Sequence, residues 1–223
     1  MTSRFLFLAF AALASAQEAA APPAAAASSS QKIDFQALMP GAVPDEYMSV
    51  EGEAKFDIAA DGDKNKVLEL QGQPIVDAGM LVGKATKGPG TIIAKIKATG
   101  KRRVQPRFGV GLFGISGPRF RVVPVTKTVE IVKNSDKEEV VATAPYTWTS
   151  GTWTWVEMSI KAAATGGGST IEARVWEDGK ARPEKATVTW ENPAPAAQGR
   201  ASVWGTPYSE QAIWFDDIEI KAP

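Results

Sequence analysis

From Gln31 to Lys221 the chain is built of short apolar runs separated by turn residues roughly every eight to twelve positions, the spacing of an all-β sandwich. No sustained 3.6-residue period competes with it. Strands are expected at Ala54 to Ala59, Lys66 to Gln71, Thr91 to Ala98, Arg107 to Gly114, Arg119 to Val125 and Thr128 to Lys133. Further strands are expected at Glu138 to Ala144, Trp155 to Ala162, Ser169 to Glu177, Ala186 to Trp190, Arg200 to Gly205 and Ala212 to Ile220. Two runs alternate cleanly. In "TIIAKIKA" Ile92, Ala94 and Ile96 share one face and Lys95 and Lys97 the other. In "WVEMSIKA" Val156, Met158 and Ile160 oppose Trp155, Glu157, Ser159 and Lys161.

Turn chemistry agrees with antiparallel neighbours: "ADGDKN", "KNSDKE" and "TGGGS" each separate two such runs. With no second linker, the expected fold is one all-β domain over residues 31–223, a two-sheet antiparallel jelly-roll sandwich. Before it, Arg4, the apolar run Phe5 to Leu13 and "ASA" at Ala14 to Ala16 have the layout of a signal peptide over residues 1–16. Residues 17–30, "QEAAAPPAAAASSS", hold no aromatic or β-branched residue and are read as a flexible Ala/Pro/Ser leader. The expected destination is the periplasm or the medium, with no membrane span in the mature chain.

Charge and composition then narrow the chemistry. Lys plus Arg equals Asp plus Glu, 25 against 25, which gives no electrostatic reason to bind nucleic acid. The absence of cysteine removes disulfides and thiolate chemistry. The absence of histidine removes Ser-His-Asp catalysis and the common zinc sites.

Three motifs fail on context. "GVGLFG" places Gly109, Gly111 and Gly114 as G-x-G-x-x-G, but Gly117-Pro118 and another strand follow instead of a helix. The two strand glycines leave a side-chain-free strip that a neighbouring aromatic or a ligand could approach. "DGDKN" starts like a calcium loop, but Lys66 stands where glycine is needed and Gly72 where glutamate is needed. "TGGGST" lacks the lysine of a phosphate loop and reads as a turn.

The closing strand "WFDDIEI" is the most informative stretch. At a period of two, Asp216 falls on the face of Ile218 and Ile220, which makes it a core-facing carboxylate in need of a partner. Backbone or side-chain donors would serve, as would a structural calcium ion shared with Asp34 or Glu53; no other cofactor is expected. Asp217 and Glu219 lie two apart, about 7 Å, a separation compatible with an inverting glycosidase pair.

The opening "KIDFQALMPGAVPDEYMSVEGEAKFDI", the middle "SGTWTWVEMSIKA" with "IEARVWEDGKARP", and the close "GRASVWGTPYSEQAIWFDDIEI" together resemble concanavalin A-like lectin/glucanase jelly rolls of secreted bacterial proteins. The likeness extends to laminin-G-like and keto-disaccharide-hydrolase-like domains. It implies the scaffold over Lys32 to Lys221. It transfers no catalytic residue, since the E-x-D-x-x-E strand of laminarinase-type enzymes is missing, as is the histidine of alginate-lyase-type relatives.

Non-catalytic binding on the concave face of the sandwich is therefore the expected activity, with carbohydrate or a surface polymer as partner and a monomer as the working unit. Sugar rings present apolar C–H faces that stack on indoles, while their hydroxyls bond polar side chains. Seven tryptophans and three tyrosines are present. Trp153, Trp204 and Trp214 are read as packing. Trp155 shares the polar face with Glu157 and is the leading ligand-binding candidate. Trp176 at a hairpin end, Trp148 and Tyr146 in "PYTWTSG", and the Arg107 guanidinium follow it. The alternatives are a glycan hydrolase using Asp217 and Glu219, and a purely structural cell-envelope domain.

Overall fold

The computed structural model describes residues 29–222 apart from 51, 63, 135, 136 and 209. The expected signal peptide and nearly all of the expected leader lie outside the described residues, as does Asp63 of "DGDKN". The strands are β1 (Ser29–Ile33), β2 (Gly41–Ala42), β3 (Met48–Ser49), β4 (Phe56–Asp61), β5 (Asn65–Leu70), β6 (Ala78–Lys87), β7 (Gly90–Ala98) and β8 (Arg107–Gly111). They continue as β9 (Arg119–Val123), β10 (Thr128–Asn134), β11 (Glu138–Pro145), β12 (Trp153–Ala162), β13 (Ser169–Glu177), β14 (Val188–Asn192), β15 (Gln198–Thr206) and β16 (Ile213–Ala222).

Two antiparallel sheets face each other. One has the order β14-β13-β12-β7-β16-β5-β4-β2 with β1 added to β16; the other runs β11-β10-β9-β8-β15-β6-β3. Ile92, Ala94, Ile96, Val156, Met158 and Phe215 of the first sheet bury their side chains against the second, which contributes Phe108, Val110, Phe120, Val122 and Val203. These are the residues that period-two alternation assigns to the core.

Three differences from the sequence reading matter for the site. β1 has no counterpart among the expected strands and begins at Ser29, two residues inside the expected leader, because Ser29 and Ser30 pair with Ala222 and Lys221. β6 has no counterpart among the expected strands: its "AGMLVG" buries both faces, so alternation is lost, and its two glycines look like breaks. The third difference lies in β16. Its pairing with β7 runs in register through Asp216↔Lys95, then resumes at Glu219↔Ile93, one residue out of step. Asp217 is the extra residue, with φ 46°.

That bulge reverses the side on which Asp216 lies. Phe215 pairs with core-facing Ile96, so Asp216, next along, pairs with outward-facing Lys95. It does not share the face of Ile218 and Ile220. One edge of β16 is divided at the same point: β5 pairs with Ile213–Phe215 and β1 with Ile218–Ala222. The bulge therefore sits in the gap between the ends of two partner strands.

Candidate functional site

The outer face of the nine-stranded sheet is organised in transverse rows fixed by strand register. One row reads Trp153, Lys97, Trp214, Glu69 across β12, β7, β16 and β5. The next reads Trp176, Trp155, Lys95, Asp216 across β13, β12, β7 and β16. The third reads Arg174, Glu157, Ile93, Glu219, Lys32. Outward residues of neighbouring strands stand about 5 Å apart, so each row is a contact series.

The first two rows set indoles beside ammonium groups. Trp155 stacks on Trp176 with ring centroids 6.0 Å apart and planes 14° from parallel. Lys95 Nζ lies 5.5 Å from the Trp155 centroid and 5.6 Å from that of Trp153. Lys97 Nζ lies 5.0 Å from Trp153 and 4.1 Å from Trp214, within cation–π range. Acids at the rim complete the set. Lys97 pairs with Asp61 at 2.8 Å, and Lys95 with Asp178 at 3.0 Å. The Trp155 Nε1–H also donates to Asp178, at 2.8 Å. Trp153 and Trp214 thus lie on the outer face and not in the packing role expected of them. Trp153 has the parity of Trp155, and Trp214 that of Asp216.

Beside Trp155 a cleft of about 360 Å³ opens between the bulge and β1, with Asp34, Asp217, Glu219 and Lys32 around it and Ile33, Ile93 and Ile218 as its apolar floor. Trp155, Asp217, Glu219 and Asp34, chosen from separate parts of the sequence, come together here. Asp217 is half exposed and 4.0 Å from Lys95. Glu219 accepts from Ser30 Oγ at 3.0 Å and pairs with Lys221 at 3.0 Å. The Lys221 ammonium, aided by Ser30, holds the Glu219 carboxyl below the usual glutamate value despite partial burial. A glycosidase acid needs the opposite shift, to keep a proton near neutrality.

Asp216 lies behind this cleft, 5% exposed. Its partners are protein donors: Asn65 Nδ2–H at 2.9 Å and the backbone N–H of Asp217 at 2.8 Å. Asn65 is held in turn by the Gln36 amide at 2.7 Å. Burial raises the Asp216 carboxyl above its ordinary value, against the pull of Asn65, the Asp217 N–H and Lys95. Among the described residues no three Asp or Glu side chains gather as a metal cage.

The other candidates are placed elsewhere. Glu157 is on the outer face, as its parity requires, but its carboxylate is almost fully buried and grips Arg174 at 3.1 Å and Arg182. Arg182 comes from the 178–187 connection, which this pair and Asp178 pin against the sheet. Trp176 backs Trp155 from behind. Trp148 packs edge-on against Phe108, centroids 5.5 Å apart, and Tyr146 joins it against the core. Burial, with Glu177 nearby, pushes the Tyr146 hydroxyl up to about 12. Arg107 begins β8 in the other sheet and lines a much smaller hollow there with Asp77 and Trp204.

Sequence reasoning missed Lys95 and Asp178, which set the position of Trp155, and Lys32, which lines the cleft. The signal for Lys95 was present: it alternates with Ile96 in a strand whose polar face was already assigned.

No known family model matches the chain, and no characterised protein matches it by sequence. Its fold does match solved structures. A family 66 carbohydrate-binding module from Bacillus subtilis superposes with a TM-score of 0.54 at 11% identity, covering 78% of this chain and 94% of that one. Peanut lectin superposes with a TM-score of 0.53 at 10% identity, covering 88% and 97%. The carbohydrate recognition domain of Emp47p gives 0.52 at 10% identity, covering 84% and 92%. The chain folds as a concanavalin A-like jelly-roll sandwich.

Proposed function

We propose that the protein is a non-catalytic, exported carbohydrate-binding module whose binding face is the outer surface of the nine-stranded sheet. The observation that carries the reading is the cleft at the bulge, where an indole held on three sides stands across from carboxylates. Trp155 is fixed by Trp176, Lys95 and Asp178, so little ordering is left to be done when a ligand arrives. Its remaining surface faces the cleft and supplies the apolar wall that a pyranose C–H face requires. Asp34, Asp217 and Glu219 supply acceptors for sugar hydroxyls. The carbohydrate-binding module and lectins of the same fold support the same reading.

The test is titration of the protein with a panel of soluble polysaccharides, followed by calorimetry and by the shift in unfolding midpoint that a native-state ligand produces. Binding to at least one polysaccharide, weakened at least tenfold by Trp155→Ala, is the expected result. Absence of binding across neutral, acidic and amino-sugar polymers would leave a structural envelope domain.

A further inference from the structure

Strand β1 separates the cleft from a second cavity of about 270 Å³, and Lys32 and Ile33 line both. The second cavity is bounded by Tyr47, Gly83, Lys84, Arg200 and Glu46. Its construction is specific. The backbone N–H of Lys84 donates to Gln31 Oε1 at 2.7 Å, which ties β1 to β6. A side-chain carbon on Gly83 would come within 2.5 Å of Ile220 and 3.0 Å of Gln31, and its φ of 62° suits glycine, so the close approach depends on that residue.

The two cavities have opposite charge. Asp34, Asp217 and Glu219 surround the first, with Lys32 as its single cation. Lys32, Lys84 and Arg200 surround the second, against the single carboxylate of Glu46. Lys84 has no carboxylate within salt-bridge distance among the described residues, while Lys32 stands opposite Glu219 and its charge helps to lower that carboxyl. Arg200 spends its Nε–H and both Nη2–H groups on backbone carbonyls, those of Gly83 at 2.8 Å, Glu46 at 2.6 Å and Leu81 at 3.0 Å. The guanidinium is thereby held in place, and among the described residues its Nη1 donors have no hydrogen-bond partner and its charge no carboxylate within salt-bridge distance, an arrangement suited to an oxyanion. The Tyr47 ring, packed on Phe35 with centroids 5.9 Å apart, gives the cavity an aromatic side.

Building on the carbohydrate-binding reading, we propose that the ligand is a mixed polysaccharide in which a neutral sugar occupies the acidic cleft and an adjoining acidic sugar places its carboxylate or sulfate in the Lys32–Lys84–Arg200 cavity. A neutral sugar donates hydroxyl hydrogens to the carboxylates on one side of β1, and the anion meets three cations on the other. A polymer acidic at every unit is disfavoured, since one of its anions would face Asp34 and Asp217.

The experiment compares four probes: dextran, neutral throughout; hyaluronan, with a carboxylate on alternate sugars; keratan sulfate, with sulfate and no uronate; and polygalacturonate, acidic at every unit. Hyaluronan or keratan sulfate is expected to bind at least tenfold tighter than dextran and tighter than polygalacturonate, and which of the two binds identifies the anion. The exposed variant Lys84→Ala, which touches only the second cavity, is expected to reduce that advantage severalfold and leave dextran affinity unchanged. Lys101→Ala, the same charge change away from both cavities, is expected to leave all four affinities unchanged. Arg200→Lys, which keeps the charge and removes the fork, gives an intermediate loss. Equal affinity for dextran and the mixed acidic polymers, or equal losses in Lys84→Ala and Lys101→Ala, overturns the proposal while leaving the carbohydrate-binding reading intact. Loss of dextran binding in Trp155→Ala concerns that earlier reading alone.

Discussion

Trp155 and Trp204 occupy equivalent outward positions on opposite sheets, and their surroundings differ in one respect. Trp204 lies flat across a strip of missing side chains. A Cβ on Gly79 would approach its ring to 2.8 Å, and one on Gly111 would approach its Nε1 to 3.2 Å. Arg119 then covers the exposed face, its guanidinium carbon 3.2 Å from the ring centroid and its Nη1 bonded to Asp77 at 2.9 Å. The indole is 4% exposed and the hollow beside it holds only about 10 Å³. Trp155 is held as firmly, by Trp176, Lys95 and Asp178, yet among the described residues no side chain closes the cleft in front of it. An outward indole on a strand is thus no sign of a binding site until the residue that would cover it has been looked for.

The largest effect is expected at the sealed indole. Trp204→Ala is expected to cost about 3–5 kcal/mol of stability, as for other buried aromatic truncations, read from the midpoint of urea unfolding. Whatever protein remains folded should bind polysaccharide as before. Trp155→Ala is expected to cost about 1 kcal/mol, the scale of a partly exposed aromatic pair, while removing binding. Equal stability losses at the two positions would mean that Trp155 is core in all but position.

The smallest effect expected is a pH dependence confined to the Trp155 side. Burial works against ionisation of Asp178, but hydrogen bonds from Lys95 and Trp155, the Lys95 charge and the Gly179 N–H outweigh it and bring the carboxyl below the ordinary aspartate value. A carboxyl lowered by folding contributes stability that is present above its unfolded value, near 4, and is lost as pH falls through the folded value. Tryptophan emission is therefore expected to shift as pH falls below about 4, with that step absent in Asp178→Asn. An unchanged step in the variant would assign it to another carboxylate.

Much of the fold was legible because most strands have one wet face and a one-residue error would turn the whole pattern inside out. Twelve strands were expected within a few residues of where they lie. β6 was hidden by burial on both faces, and β2 and β3, two residues each, carry no period at all. At the site, Trp155, Asp217, Glu219 and Asp34 were each picked out, but their meeting was not foreseeable: it depends on β1 pairing with β16 across nearly the full length of the chain. Trp153 was misjudged although its parity with Trp155 was plain. Asp216 failed for a different reason. Counting forward from Ile213 and Phe215 puts it outside, and counting back from Ile220 and Ile218 puts it inside. That contradiction is the signature of one residue too many, and it can be read without coordinates.

Removing Asp217 from "WFDDIEI" leaves Trp-Phe-Asp-Ile-Glu-Ile, an unbroken alternation that would pair with β7 without a register shift. The scaffold and the carboxylate at the mouth of its cleft are thus separable by a single codon. Lineages of this fold could gain or lose that feature by a three-nucleotide insertion or deletion, with every other strand, turn and core contact unchanged.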